Sequence, residues 1–480
     1  MRGLKTRFLF LALLTALGIA VAGLSGTASV ASTRTTAPAV QWSKAIRVPG
    51  MTHLNRGDRE EVRSVSCAPT GACAAAGSYA DHRQRNQGFV VTERDGRWAN
   101  ARPVPGLQAL NRGGDAEASV VSCGAAGVCA AGGYYTDKRG ERAFVVLAKN
   151  GHWGKAAPVR GTAELASVDT VTCGAAGACV AGGSYMDKSG AIQPFVVSEL
   201  HGKWGRAIRV PGTAVLNSGH YGNAGAIACL GPGTCAAGGL VEDAAGHEDA
   251  FVASETDGHW AQAVEVPGTP DPGDPEDRFV ADVASVSCAT GSCTAGGSLR
   301  GASGNLEAFV MSETGGTWSD VVQIPGTEGG DAAVDSLSCF AAGCVAVGYY
   351  DDGSGTKEFV STETSGVWSA ATIEALDTSA LGSQADLFEF SCISVDACVA
   401  GGDYGNGAVL RPFVGDETDG QWSKPIPVPG MAKLNSAGFG DLESLSCGGG
   451  VCAAGGFAEK GYAEGTSHMR AFVVLGTVAE

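Results

Sequence analysis

Short apolar segments separated by turn residues recur along the whole chain, and no helical period connects them. Four kinds of segment follow one another, exemplified in different repeats by "SVVSC" (119–123), "CAAGGYY" (129–135), "AFVASE" (250–255) and "WAQAVEVPG" (260–268). Their β-branched, aromatic and small residues are typical of strands, and the paired glycines of the second kind disfavour a helix. The pairs between the last two kinds, such as Asp257 and Gly258, are typical of hairpin turns. The pattern therefore predicts repeats of four antiparallel strands, here named a to d.

Cysteine pairs mark the repeats. The 16 cysteines fall into eight pairs whose first members are 50 to 59 residues apart. Each repeat also has one phenylalanine in segment c: Phe89, Phe144, Phe195, Phe251, Phe309, Phe359, Phe413 and Phe472. Four antiparallel strands in about fifty residues are the unit of a propeller blade. We therefore predict an all-β fold, an eight-bladed β-propeller with four-stranded blades.

The eighth repeat lacks its segment d, since it stops after "AFVVLGTVAE" (471–480). The stretch "VQWSKAIRVPG" (40–50) has the missing pattern of a tryptophan followed seven residues later by Pro-Gly. A strand shared between both ends of the chain would close the ring and remove two free sheet edges. Six of the eight d segments contain a proline. Because proline cannot donate a backbone hydrogen bond to a neighbouring strand, we expect d to be the outer edge strand of each blade. We expect residues 40–480 to form one domain.

The cysteine spacing favours one disulfide per blade. A C-x5-C or C-x4-C pair across one hairpin brings two β-carbons within reach of a disulfide. Zinc is the alternative, but the spacing is not C-x2-C and four thiolates would have to come from two blades. The predicted pairs are Cys67 with Cys73, Cys123 with Cys129, Cys173 with Cys179, Cys229 with Cys235, Cys288 with Cys293, Cys339 with Cys344, Cys392 with Cys398 and Cys447 with Cys452.

The first residues resemble a signal peptide. Arg2, Lys5 and Arg7 precede an apolar run over residues 8–24, and Ser29 and Ala31 supply the small residues of a cleavage site. We expect a leader over residues 1–31, a short linker over 32–39, and secretion; an uncleaved membrane anchor is the alternative. Loss of three basic residues would change the net charge from −17 to −20. Such an acidic chain argues against nucleic acid and anionic membranes as partners. Because no second apolar run follows, we expect no membrane span after the leader is removed. We also expect a monomer.

Candidate reactive residues are few. A glutamate lies four residues after the phenylalanine in six repeats: Glu93, Glu199, Glu255, Glu313, Glu363 and Glu417. These carboxylates could line a channel or hold a metal, but we favour local pairing at the turn between c and d. His152, His201 and His259 fall in the same turn. "RGD" (56–58) and the acidic "DPGDPED" (271–277) are interpreted as loop composition, although the second could hold calcium. No catalytic motif, metal site or cofactor is predicted.

The connections between d and a and between b and c vary in length and chemistry, whereas the other turns are uniform. With alternating strand directions, both variable connections emerge on one face. Variable loops on a rigid scaffold commonly bind ligands. We therefore expect a non-catalytic binding module for an extracellular glycan or protein. The alternatives are a carbohydrate-active or other hydrolase with its site at the channel mouth, and a purely structural envelope protein.

The units "VSCAPTGACAAAGSY", "VSCATGSCTAGGSL" and "LSCFAAGCVAVGYY" resemble exported bacterial repeat proteins with the pattern S-C-x4/5-C-x-A-V-G. The resemblance covers about residues 40–480 and implies a propeller in an extracellular location, without a catalytic residue. The divided last blade is similar to that of WD-repeat propellers, but the Trp-Asp dipeptide of that family does not occur.

Overall fold

The structure, a computed structural model, describes residues 40–125, 127–174, 178–268, 278–374, 381, 384–405, 409–418, 421–463 and 466–478. Eight antiparallel sheets form the eight blades of a β-propeller, as the repeat predicts. Blades 1 to 8 are numbered by the order of their first strands, and each has the order a-b-c-d. The predicted leader (1–31) and linker (32–39) lie outside the described residues.

The first three strands of each blade are long and regular. Strands a are Glu60–Cys67, Ala116–Ala125, Glu164–Cys173, Gly222–Gly231, Ala281–Ala289, Asp331–Phe340, Gln384–Ser394 and Gly440–Gly448. Strands b are Cys73–Ala80, Val128–Asp137, Ala178–Met186, Thr234–Glu242, Ser292–Arg300, Gly343–Asp351, Ala397–Gly405 and Val451–Ala463. Strands c are Asn86–Arg94, Gly140–Lys149, Ile192–Leu200, Glu248–Thr256, Leu306–Thr314, Thr356–Thr364, Leu410–Thr418 and Thr466–Val478.

Strand d is interrupted, which the sequence pattern did not predict. Its first parts, in blades 1 to 8, are Arg97–Trp98, His152–Trp153, Lys203–Trp204, His259–Trp260, Thr317–Trp318, Val367–Trp368, Gln421–Trp422 and Val40–Trp42. Its second parts are Arg102–Pro103, Ala157–Pro158, Ile208–Arg209, Val264–Glu265, Val322–Gln323, Thr372–Glu374, Ile426–Pro427 and Ile46–Arg47. Both parts pair with strand c, so d is the outer edge strand, as its prolines indicate.

One-turn helices follow strand d in several blades. They are Met51–Leu54, Leu107–Leu110 and Thr213–Leu216, with a 3-10 turn at Met431–Lys433. Each begins after a Pro-Gly pair, and the glycine takes a positive φ, 85° at Gly50, that other residues rarely adopt. A single turn is too short to show a helical period, so the hydrophobic pattern did not reveal these helices.

The N-terminal stretch closes the ring as predicted. Val40 pairs with Val478 and Ile46 with Val473, both antiparallel, so the two ends of the described chain share blade 8. The same stretch also holds blade 1, because Arg47 Nε lies 2.5 Å from Oε1 of Glu60, which is fully buried. The seam is therefore fastened by both a strand ladder and an ion pair.

The hydrophobic core lies between the blades. The eight phenylalanines of strand c are all completely buried. In one core cluster, Val62 and Phe89 of blade 1 pack with Ala453 and Val473 of blade 8. Gly77 of strand b explains the glycines of the repeat, since a β-carbon there would lie 2.0 Å from the carbonyl oxygen of Glu61 on strand a. The repeated motif thus encodes close strand packing.

The serine before the first cysteine links neighbouring blades. The Ser66 hydroxyl accepts a hydrogen bond from the Cys123 amide (3.0 Å), and Ser446 accepts one from the Cys67 amide across the seam (3.0 Å). Ser122 accepts the same bond from Cys173 (3.0 Å). These bonds run in one direction around the ring and satisfy amides that strand pairing leaves free.

Each blade has one disulfide, which joins strand a to strand b at the end of their hairpin. The bonds, in blades 1 to 8, join Cys67 to Cys73, Cys123 to Cys129, Cys173 to Cys179, Cys229 to Cys235, Cys288 to Cys293, Cys339 to Cys344, Cys392 to Cys398 and Cys447 to Cys452. Their Cα atoms are 3.8 to 4.2 Å apart. In the described part of the chain no cysteine is free, so the zinc alternative has no thiolate to use.

The propeller has two different faces. One carries the hairpins between a and b with the turns between c and d, which meet where the Gly151 amide donates to the Gly127 carbonyl (3.2 Å). The eight disulfides lie there, and we call it the disulfide face. The opposite loop face carries the connections between b and c and between d and a, which meet where Asn86 donates to Gly114 (3.0 Å). No helix in the described ranges is long and apolar enough to cross a membrane.

Candidate functional site

The glutamates at the end of strand c hold the turns of the disulfide face. Glu93 is 3% exposed, and it accepts hydrogen bonds from the Gly96 amide (2.6 Å) and the Cys73 amide (3.2 Å). Glu199, Glu313 and Glu363 accept the equivalent bond from the turn glycines Gly202, Gly316 and Gly366. The structure thus favours local pairing over a channel lining for these carboxylates.

The channel has its own charged residues, which come from strand a. A β-bulge in every strand a displaces one residue from the ladder, and in blade 1 this residue is Arg63. Its guanidinium lies 3.0 Å from Glu443, 3.3 Å from Glu61 and 3.4 Å from Glu117. Arg63 therefore joins the inner strands of blades 8, 1 and 2. Burial raises the pKa of Glu117 and of Glu443, and the nearby Arg63 opposes that rise.

Blades 7 and 8 have further carboxyl groups beside this wall, with Glu389 and Asp441 on strands a and the buried Asp403 on strand b of blade 7. The Asp403 side chain is 4% exposed and hydrogen-bonds with Asp441, so one of the two carboxyls must carry the proton. Burial and the neighbouring Asp441 raise the pKa of Asp403 well above its usual range. Glu389 accepts the Leu445 amide (3.2 Å), and burial raises its pKa to about 8. These acids can hold protons near neutral pH.

Asp335 in blade 6 is another carboxyl group with a raised pKa. Its side chain reaches water, yet the surrounding protein and the charge of Asp282 raise its pKa to about 7. In blade 3, burial raises the pKa of Asp169, which accepts a hydrogen bond from Asn223 (2.9 Å). The inner wall is consequently acidic over several blades, with Arg63 as a cation facing three of its carboxylates.

The loop face contains a cavity of about 810 Å³ between blades 7 and 8, which we call the 7–8 pocket. Tyr404 and Arg411 line it from blade 7, and Met431 and Asn435 from the connection into blade 8. Asn435 is 8% exposed and donates from Nδ2 to the Leu410 carbonyl (3.2 Å), while its Oδ1 has no partner in the described part of the chain. A buried acceptor without a donor is costly, so the wall of the pocket contains an unsatisfied polar group at Asn435.

Other blades show what this asparagine normally does. Asn111 donates to the Asn86 carbonyl (2.9 Å) and to Gln87 Oε1 (3.3 Å), and its Oδ1 accepts from the Gly114 amide (3.0 Å). Asn217 makes the same pair of donations, to Ile192 and Gln193.

Blade 7 has Arg411 at the position of these glutamines, and a guanidinium cannot accept a hydrogen bond. Arg411 is exposed and has no hydrogen-bond or ion-pair partner among the residues that the structure describes. The network of blades 1 and 3 is thus absent at the 7–8 pocket, which leaves Arg411 as an exposed cation at the cavity and the buried Oδ1 of Asn435 without a donor among the described residues.

The remaining predicted candidates have local roles or fall outside the description. His152 and His259 are exposed residues at the start of strand d, each with Nδ1 2.9 Å from a carbonyl oxygen of the preceding turn, and His201 is an exposed turn residue. In "RGD", Asp58 lies 3.3 Å from both His468 and Arg470. Residues 271–277 lie outside the described residues. Within the described ranges, no group of three or more His, Cys, Asp or Glu could hold a metal.

Sequence reasoning missed Arg63, Asp403 and Asn435. The bulge shifts the alternation of strand a by one residue, so the channel positions are not evident from a regular period. Asn435 had a detectable signal, because asparagine occurs five residues after the glycine of Pro-Gly in four connections: Asn55, Asn111, Asn217 and Asn435.

Comparison with protein-family models finds no match, and no curated protein matches the sequence. Among solved structures, Sqt1 from Chaetomium thermophilum is 12% identical with a TM-score of 0.47, over 91% of this chain and 98% of that chain. The β-propeller domain of the Trilobed protease from Pyrococcus furiosus is 7% identical with a TM-score of 0.41, over 76% and 97%. The phage phi92 endosialidase is 10% identical with a TM-score of 0.37, over 92% and 70%. Nothing about activity follows from likenesses at this level.

Proposed function

We propose that this protein is an exported, non-catalytic binding module whose loop face takes up an extracellular glycan or protein ligand in the 7–8 pocket. The observation that carries the proposal is Arg411, an exposed cation without an internal partner in the described part of the chain, at the wall of a cavity of about 810 Å³. Asn435 lines the same cavity, and its buried Oδ1 has no donor among the described residues. The ligand therefore carries an acceptor or anionic group that pairs with Arg411.

The surroundings suit such a ligand. Tyr404 packs edge-on against the buried Phe413, with ring centroids 6.4 Å apart, so its ring is held in place at the wall of the pocket. Pro412 and Pro427 add rigid apolar surface. Ligand pockets commonly combine apolar walls with a few placed polar groups. The pocket lies among the variable connections, where binding is expected on a rigid scaffold.

The proposal is tested with the variant Arg411→Gln. It removes the cation and places at this site the residue that accepts from asparagine in blades 1 and 3, so the pocket network should close. Parent and variant are screened against a glycan array and a library of secreted peptides. The parent should retain at least one ligand that the variant loses, while the exposed Arg112→Gln serves as the matched control. Equal binding by parent and Arg411→Gln would contradict the proposal, as would loss of binding from changes on the disulfide face alone.

Export is part of the proposal. The basic and apolar pattern of residues 1–24 supports it, and eight disulfides are typical of an oxidising compartment. Likeness to exported bacterial repeat proteins, with the monomeric state we expect, belongs to the same proposal. N-terminal sequencing of protein from the culture medium should begin at Ser32. A retained leader in a membrane fraction would support the anchored alternative.

A hydrolase with its site in the channel is the second candidate. Arg63 between Glu117 and Glu443, together with the proton shared by Asp403 and Asp441, provides carboxyl groups with different protonation states, as acid–base hydrolysis requires. Assays on a panel of glycoside and peptide substrates test it. Turnover that is lost in Glu117→Gln and kept in Arg411→Gln would establish this candidate in place of the binding module.

A further inference from the structure

The outer rim between blades 2 and 3 contains a groove that differs in charge from the rest of the protein. Its volume is about 670 Å³, and we call it the rim groove. Lys149, Lys155 and Arg160 line it from blade 2 and Lys203 from blade 3, and all four are exposed. None of the residues that line it, all within the described ranges, is acidic. The groove is a cationic site on an acidic protein.

Blades 2 and 3 are basic as a unit. Residues 116–209, which contain both blades, have ten Lys and Arg against seven Asp and Glu, a net charge of +3 in a chain whose net charge is −17. One of the seven acids, Glu199, is buried and accepts a hydrogen bond from the Gly202 amide, so it contributes no free charge to the groove surface. Opposite charge elsewhere on the molecule does not neutralise a local field beyond a Debye length, about 8 Å at physiological salt. The total charge of the chain therefore hides this patch.

The sequence of blade 2 departs from the repeat at the groove. Arg160 occupies the position where six other blades have proline, and the one-turn helix that follows Pro-Gly in the connections from blades 1, 3, 7 and 8 is not formed after Gly161. The backbone link between blades is nonetheless kept, because the Arg160 carbonyl accepts the Ala207 amide at 2.7 Å as Pro211 accepts that of Ala263. The exchange thus adds a cation to the rim while the backbone hydrogen bond between the two blades is kept.

The geometry points to an acidic polysaccharide as the ligand of the rim groove. Trp204 and Pro158 line the groove beside the cations. Apolar ring faces stack on sugar rings, and the ammonium and guanidinium groups pair with carboxylates spaced along a polymer. Arg160 is held against blade 3, since its Nη2 donates to the Trp204 carbonyl at 3.4 Å. An oxidising compartment, typical of a chain with eight disulfides, favours a polysaccharide over nucleic acid.

The test compares the mature chain with the double variant Lys155→Gln/Lys203→Gln. Binding to polygalacturonate is measured by calorimetry over a series of salt concentrations, with neutral dextran and double-stranded DNA as comparison polymers. The parent should bind polygalacturonate and not dextran, more weakly as salt rises. The variant should bind about tenfold or more weakly, and its salt slope should fall by about one for each lost contact.

The control double variant Arg112→Gln/Lys433→Gln removes two exposed charges outside the groove. It should bind like the parent, and thermal melting of all three proteins should show that they are equally folded. Equal weakening by both double variants would overturn the inference, because binding would then follow total charge. DNA binding as tight as polygalacturonate binding, or no binding at low salt, would overturn it too. Arg411→Gln should leave this binding intact, which separates the rim groove from the 7–8 pocket.

Discussion

The acidic residue Glu389 should make this propeller less stable as pH rises. It stands at the position of Ser64, Ser285 and Ser444 in other blades, where a hydroxyl accepts an amide of the next blade; Glu389 accepts the Leu445 amide with its carboxylate. Burial raises its pKa to about 8 from an ordinary value of 4.5. Below pH 4.5 the group is protonated in both the folded and unfolded states. Between pH 4.5 and 8 only the folded state holds the proton, so the free energy of unfolding falls through this window.

The magnitude follows from the two pKa values. Their difference corresponds to about 5 kcal/mol between the protonation states. The side chain is only partly buried, and solvent screens part of this difference, so we expect about 2 kcal/mol. Glu389→Gln keeps the acceptor and cannot ionise. The variant should therefore match the parent near pH 4.5 and exceed it in stability by about 2 kcal/mol at pH 9.

Urea unfolding with intact disulfides, followed by tryptophan fluorescence at several pH values, measures this difference. Glu328→Gln is the matched control, since it removes the same charge from an exposed loop. A difference between parent and Glu389→Gln that stays constant from pH 4.5 to 9 would refute the reasoning. So would an equal trend in the control, because the effect would then come from net charge.

Three further predictions concern the ring and its fastenings. Deletion of residues 40–50 should remove the closing strand and lower the melting temperature, whereas their transfer to the end of the chain, behind a two-residue turn, should restore blade 8; melting of the deletion variant like the parent would contradict ring closure. Ser122→Ala should cost about 1 kcal/mol in urea unfolding because the Cys173 amide loses its acceptor, and a cost no larger than that of an exposed serine would contradict the blade link. Replacement of Cys229 and Cys235 by alanine should cost about 2 kcal/mol for so short a loop, and a change below measurement would contradict a stabilising role.

Much of the fold was predictable because the repeat expresses it eight times. Each cysteine pair, each buried phenylalanine and each Pro-Gly is a local signal whose repetition removes ambiguity, and the lone stretch 40–50 was identified from the repeat that lacks it. The structure confirms the eight blades, the strand order and the closing strand. The one-turn helices and the interrupted strand d are shorter than any period that could reveal them.

The candidate sites were less predictable because they arise where blades differ. Arg63 meets Glu443, 380 positions away in sequence, only because the ring closes. Arg411 is an ordinary exposed residue until it is compared with Gln87 and Gln193 at the same place in other blades. The rim groove was hidden by the acidic total charge, which is a property of the whole chain. Sites of this kind depend on packing between repeats, which composition does not contain.

The closing strand also decides how the molecule can be handled. Val40 pairs with Val478, and the Val478 amide donates to the Gly450 carbonyl in a hairpin of the disulfide face, so both ends of the described chain lie on that face. A tether or fused label attached after residue 478 therefore starts on the side away from the 7–8 pocket. A surface coated with protein tethered there would present its variable loops outward, which makes this orientation the natural one for capture experiments with unknown ligands.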